Sequence, residues 1–160
     1  MLIDSSLSFG TQNGADNAIG TTGGEKVLTH IDLRPVGIND NATVDFGAGE
    51  PLYFVLQCQT TCGDANANPT VTFELVSDTN VNMTTAPKVL VSTGAVAEAT
   101  LVAGARFIFA LPSSANGDYA RYLGVKATVS TGDGLDSGVI EGFLTKDVTN
   151  WTSTNTRVNV

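Results

Sequence analysis

Thr70-Val71-Thr72-Phe73-Glu74-Leu75 alternates strictly between polar and apolar side chains. Successive side chains of a strand point to opposite faces, so Val71, Phe73 and Leu75 share one face and Thr70, Thr72 and Glu74 the other. The segment reads as a half-buried strand with core on one side and water on the other. The same period of two returns elsewhere. Leu123, Val125, Ala127 and Val129 alternate with Tyr122, Lys126 and Thr128. Phe107, Phe109 and Leu111 alternate with Arg106, Ile108 and Ala110, and Val27, Thr29, Ile31 and Leu33 with Leu28, His30 and Asp32. Leu52 to Gln57 is apolar on both faces, as a strand covered on both sides would be. Ser137 to Lys146 carries Val139, Ile140, Phe143 and Leu144, with Gly142 marking a bulge or close packing. Val89-Leu90-Val91 adds a short strand and Leu2 to Phe9 a weaker one.

Turn chemistry separates these runs: Asn13-Gly14, Gly23-Gly24, Gly49-Glu50-Pro51, Asn116-Gly117-Asp118 and Gly132-Asp133-Gly134. Only residues 95–104 tolerate a helix, and that stretch is too short to set the class. Seven or eight antiparallel strands without helices must bury one face each against another sheet. The expectation is an all-β fold, a jelly-roll-like two-sheet antiparallel sandwich over residues 1–147, with an extended polar tail over 148–160.

Composition agrees. The 160 residues are one domain's worth and are 42% hydrophobic but only 15% charged, the balance of a folded chain. The formal charge of -8 repels phosphate backbones and acidic lipid surfaces, so neither nucleic acid nor membrane is an expected partner. The opening Met1-Leu2-Ile3-Asp4-Ser5 has no basic region and no long apolar run, so no secretory signal and synthesis in the cytoplasm are expected.

A search for chemistry returns little. His30 is the one histidine and sits on the polar face of its strand; a solvated histidine is the plainer reading than a catalytic triad, and no Gly-x-Ser-x-Gly elbow is present. Cys58 and Cys62 fall short of a zinc ligand set even with His30. They read as free thiols near a strand end or as a local disulfide across a turn, and a reducing compartment favours the thiols. Glu74 and Glu141 could be the carboxylate pair of a small glycosidase, but one Trp and three Tyr are a poor supply of sugar-stacking rings. Gly20 to Lys26 lacks the Gly-Lys-Ser/Thr ending of a phosphate loop. Asp133 and Asp136 are too few oxygens for calcium. No catalytic residue, metal or cofactor is assigned, and the chain is not expected to be an enzyme. A carbohydrate-binding sandwich module, from a phage tail or an adhesin, is the alternative function.

Three further segments carry a resemblance when taken in order. They are Gly47-Ala48-Gly49-Glu50-Pro51-Leu52-Tyr53-Phe54-Val55-Leu56-Gln57, then Thr100-Leu101-Val102-Ala103-Gly104-Ala105-Arg106-Phe107 running on to Phe109-Ala110-Leu111-Pro112, then Arg121-Tyr122-Leu123-Gly124-Val125. With Met1-Leu2-Ile3-Asp4 before them and Gly138 to Thr145 after them, the series resembles the capsid cement, or decoration, proteins of Bordetella-phage-type tailed bacteriophages. The resemblance implies a jelly-roll-like structural protein on the outer surface of the virion. It would bind major capsid protein across capsomer junctions, hold the shell against the pressure of packaged DNA, and be a homo-dimer or homo-trimer there. It implies no catalytic residues. The sequence departs from the pattern between Cys58 and Pro69, which reads as a loop, and after Lys146. The contact residues expected are Leu2, Ile3, Leu7 and Phe9 at the N-terminus, and Trp151 and Arg157 in the tail. An aromatic anchor such as Trp151 is typical of interfaces, and capping the domain's own sandwich is the competing role.

Overall fold

The computed structural model describes residues 7–13, 25–33, 51–64, 69–111, 119–130, 134–146 and 148. Among them are eight strands: β1 (Ser8–Asn13), β2 (Glu25–Asp32), β3 (Tyr53–Gly63), β4 (Thr70–Asp78), β5 (Lys88–Ala97), β6 (Arg106–Ala110), β7 (Tyr122–Val129) and β8 (Ser137–Thr145). They form two four-stranded sheets, ordered β1-β8-β3-β6 and β2-β7-β4-β5, and every pairing is antiparallel. The pairs are nested: β4 with β5, β3 with β6, β2 with β7, β1 with β8. Successive pairs fall in alternate sheets, which is the strand order of a jelly roll. The fold is therefore the two-sheet sandwich that the alternation predicts.

The alternating residues meet between the sheets. Val71, Phe73 and Leu75 of β4, Leu123, Val125, Ala127 and Val129 of β7, and Ile31 and Leu33 at the end of β2 join Phe54, Leu56, Ile140 and Leu144 of the other sheet in one core. Phe107, Phe109 and Leu111 pack against it, half-buried, because β6 lies at a sheet edge. Val55 and its register partner Phe143 alternate out of this core, yet they are only 1% and 0% exposed, so β3 is covered on both faces as its sequence suggests. At Gly142, by contrast with the expectation of close packing, a Cβ would meet the Phe9 Cβ and Val125 at 3.5 Å, an ordinary van der Waals contact.

Four further expectations change. The stretch from Cys58 is not a loop, because β3 continues to Gly63. Its partner β8 supplies fewer residues than β3 over this stretch, and the register shifts between Cys58 and Thr60 and again between Thr60 and Gly63. Such bulges break the period that sequence reading relies on. Residues 95–104 are not helical beyond one 3-10 turn, Glu98–Thr100; β5 runs on to Ala97, where pairing with β4 overrides local preference. The N-terminal strand begins at Ser8, and residues 1–6 lie outside the described set. Phe9 is a core residue, not a contact residue: it is 1% exposed and its ring meets Phe54 edge-on, centroids 5.8 Å apart. Leu7 is half-buried against the same core.

Asp78 closes β4 by organising the turn after it. Its side chain accepts hydrogen bonds from Asn80 N at 3.1 Å and Thr85 N at 3.0 Å. Burial is the largest single influence on this carboxyl and pushes its pKa up, but the backbone donors of Asn80, Thr85, Thr79 and Ala86 together win and hold it below the ordinary value. A depressed carboxyl contributes stability above its unfolded pKa and loses it as pH falls through the folded one. Asp78→Asn should therefore flatten the acid limb of the stability curve below about pH 4, measured by urea denaturation at stepped pH. An unchanged acid limb would mean that Asp78 contributes nothing to it.

Candidate contact surface

The two carboxylates raised by sequence do not meet. Glu74 lies on β4 between the core residues Phe73 and Leu75, and Glu141 on β8 between Ile140 and Gly142. Each points outward, on opposite sheets, so the thickness of the sandwich, about 10 Å, separates even their backbones. Retaining and inverting glycosidases hold their pair about 5–9.5 Å apart across one cleft, which these two cannot line. Glu141 instead accepts a hydrogen bond from Gln59 on β3, and Glu74 stands in register beside Lys126 on β7.

His30 is exposed at the end of β2, its ring edge-on to Tyr122 at 5.6 Å. Beside it Arg121 donates to both oxygens of Asp32, Nε at 3.1 Å and Nη2 at 2.8 Å, and its guanidinium lies over the Tyr122 ring at 4.6 Å. Both ends of this ion pair are well exposed, at 39% and 40%, so it orders the surface more than it stabilises the fold. Among the described residues no three His, Cys, Asp or Glu side chains come together to hold a metal. Asp133 lies outside those residues.

Cys58 and Cys62 are free thiols, both buried in the core. The hydrogen bond between them, with burial second, pushes the Cys58 thiol up, and the same bond draws Cys62 down. Buried thiols of this kind belong to no surface site.

Among the described residues four large hydrophobic side chains are left exposed: Val81 at 38%, and Val89, Val102 and Ile108 at 47%, 48% and 43%. The last three belong to the continuous stretch from β5 to β6, with Val89 and Ile108 on the outer faces of opposite sheets. Among the described residues these strands are the terminal members of their sheets, joined through Glu98–Thr100 and residues 101–105, so they form one side of the sandwich. β5 is ten residues long and contains no proline, with Lys88 as its only charged residue. Proteins usually blunt an open edge with prolines and inward charges, and β5 uses neither. A left-handed Gly94, φ 66°, and two register shifts against β4 bend it instead. Sequence reading placed Ile108 on the outer face of its strand but did not single it out, because nothing local marks β6 as an edge.

Leu2, Ile3, Trp151 and Arg157 lie outside the described residues, so the fold neither joins nor separates them. A family model described as Bbp16 matches residues 15–144, which takes in β2 to all but the last residue of β8. All six contact residues expected from sequence fall outside that span. No curated protein matches the chain.

Proposed function

We propose that this chain, which belongs to the Bbp16 family of bacteriophage proteins, is a capsid cement protein that binds the outside of the icosahedral head at capsomer junctions. The observation that carries the reading is the family match over nearly the whole sandwich, in a fold that leaves Val89, Val102 and Ile108 exposed along the stretch from β5 to β6. Its partners in this reading are the major capsid protein and further copies of itself on the virion surface. The β5–β6 flank makes the first contact, and Leu2, Ile3, Trp151 and Arg157 remain flanking candidates. Cement adds binding free energy only to the assembled shell, so it stabilises that state by mass action. Repetition over a symmetric lattice multiplies a modest interface through avidity. A charge of -8 keeps the protein from adhering to the packaged genome.

The test is co-sedimentation with capsids that lack the protein. Saturable binding is expected, together with a higher temperature of head rupture. Val89→Asp with Ile108→Asp, two exposed positions, should leave the melting temperature of the free protein unchanged and weaken binding tenfold or more, since about 1.5–3 kcal/mol is gained on burying each such side chain. If the unaltered protein stays in the supernatant well above micromolar concentration, the cement reading fails and glycan binding becomes the question. If it sediments and the double variant sediments equally well, the flank is not the contact.

A further inference from the structure

A regular strand would place residues 58 and 62 about 13 Å apart, far beyond the reach of a disulfide. β3 is not regular there. Cys58 pairs with Ile140 of β8, while Cys62 lies against Gly138, where a Cβ would come within 2.5 Å of the Cys62 Cα and Sγ. Four residues of β3 thus cover the length of two residues of β8, about 7 Å, close to the span that a disulfide bridges. The excess chain is expelled outward as Gln59, Thr60 and Thr61, all exposed, while both cysteines turn into the core at 0% and 4% exposure. The far backbone is pinned: Cys58 N donates to Ala105 O at 2.9 Å, and Cys62 N to Leu101 O at 2.9 Å. The two thiols therefore lie on the same side of β3, both turned into the core, with Cys62 Sγ donating to Thr60 O at 3.7 Å between them in sequence.

We infer that Cys58 and Cys62 are a latent intrachain disulfide, closed across the bulged end of β3 by exchange with a low-molecular-weight disulfide. The Cys62 thiolate attacks one sulfur of the small disulfide, forming a mixed disulfide and releasing one small thiolate. Cys58, losing its proton to solvent, then attacks the Cys62 sulfur and expels the second small thiolate. Two protein thiols are oxidised to one disulfide, and one small disulfide is reduced to two thiols. Both sulfurs are buried, so the exchange requires a local opening at the exposed Gln59–Thr61 bulge. In a reducing medium the site stays a dithiol, and in an oxidising one it becomes a staple.

The experiment equilibrates the whole chain in buffers of reduced and oxidised glutathione, then measures intact mass, free thiols and melting temperature. The oxidised form should be lighter by two hydrogens, carry no glutathione, remain single on a non-reducing gel, and melt about 5 °C higher than the reduced form. Cys58→Ala should remove that difference; the two redox forms of the unaltered chain decide the matter even if this variant folds poorly. A glutathione adduct as end product, a cross-linked dimer, or an oxidised form that melts at or below the reduced one would each overturn the inference.

Discussion

Gly138→Ala should cost about 3–4 kcal/mol of folding stability, lowering the melting temperature by about 10 °C. Two effects add. Gly138 has φ 102°, a conformation that an L side chain enters only under strain of about 1–2 kcal/mol. A Cβ there would also sit 2.5 Å from the Cys62 Cα, a backbone atom of the neighbouring strand that cannot swing aside. Overpacking of that kind adds about 1–3 kcal/mol. Gly94→Ala is the control. Its φ is 66°, but nothing lies within 4 Å of the added carbon, so about 1 kcal/mol of strain is the whole expected loss. Urea denaturation of the two variants separates strain from contact. Equal losses would mean that β3 and β8 do not approach as closely at Cys62 as described.

Phe9→Ala should destabilise the isolated protein by about 3–5 kcal/mol, the usual cost of deleting a fully buried phenyl ring. The effect should appear without any capsid, since Phe9 fills space between β1, β8 and β3. Its edge-on contact with Phe54 adds a coupling of about 0.5–1.5 kcal/mol, so Phe9→Ala with Phe54→Ala should cost less than the two single losses together. A contact residue would behave in the opposite way, leaving the denaturation midpoint in place and reducing only capsid binding. Retained stability in Phe9→Ala would return this residue to the surface.

The faces of β4, β6 and β7 were legible because their residues keep a strict period of two and each strand buries one face. Phe9 misled because Ser5-Ser6-Leu7-Ser8-Phe9 offers a short, mixed pattern in which two apolar residues suit a surface anchor as well as a core strand. The far half of β3 was hidden by its own bulges: three polar residues in succession, Gln59 to Thr61, look like a loop until β8 and residues 101–105 are seen to hold the backbone on both sides. β5 was under-read past Val91 because Ser, Gly and Ala have weak strand preference, and pairing along one side alone extends it to Ala97. The exposed flank depends on which strands end their sheets. That is a long-range property, and no stretch of ten residues contains it.

The nesting of the pairs also sets a sequence of events in time. β4 and β5 are joined by the nine residues 79–87 and can meet early, whereas Ser8 faces Phe143 only after nearly the whole chain has been drawn in. Loop-closure entropy falls with each inner pair already formed, so the ladder closes from β4–β5 outward and β1–β8 last. Folding on such a path is slow for the size of the domain, because so few of its contacts are local. Until β1 arrives, β8 has an open edge and the pocket for the Phe9 ring stands empty. A strand from another chain that met β8 before β1 did would find the same unpaired backbone groups that β1 uses.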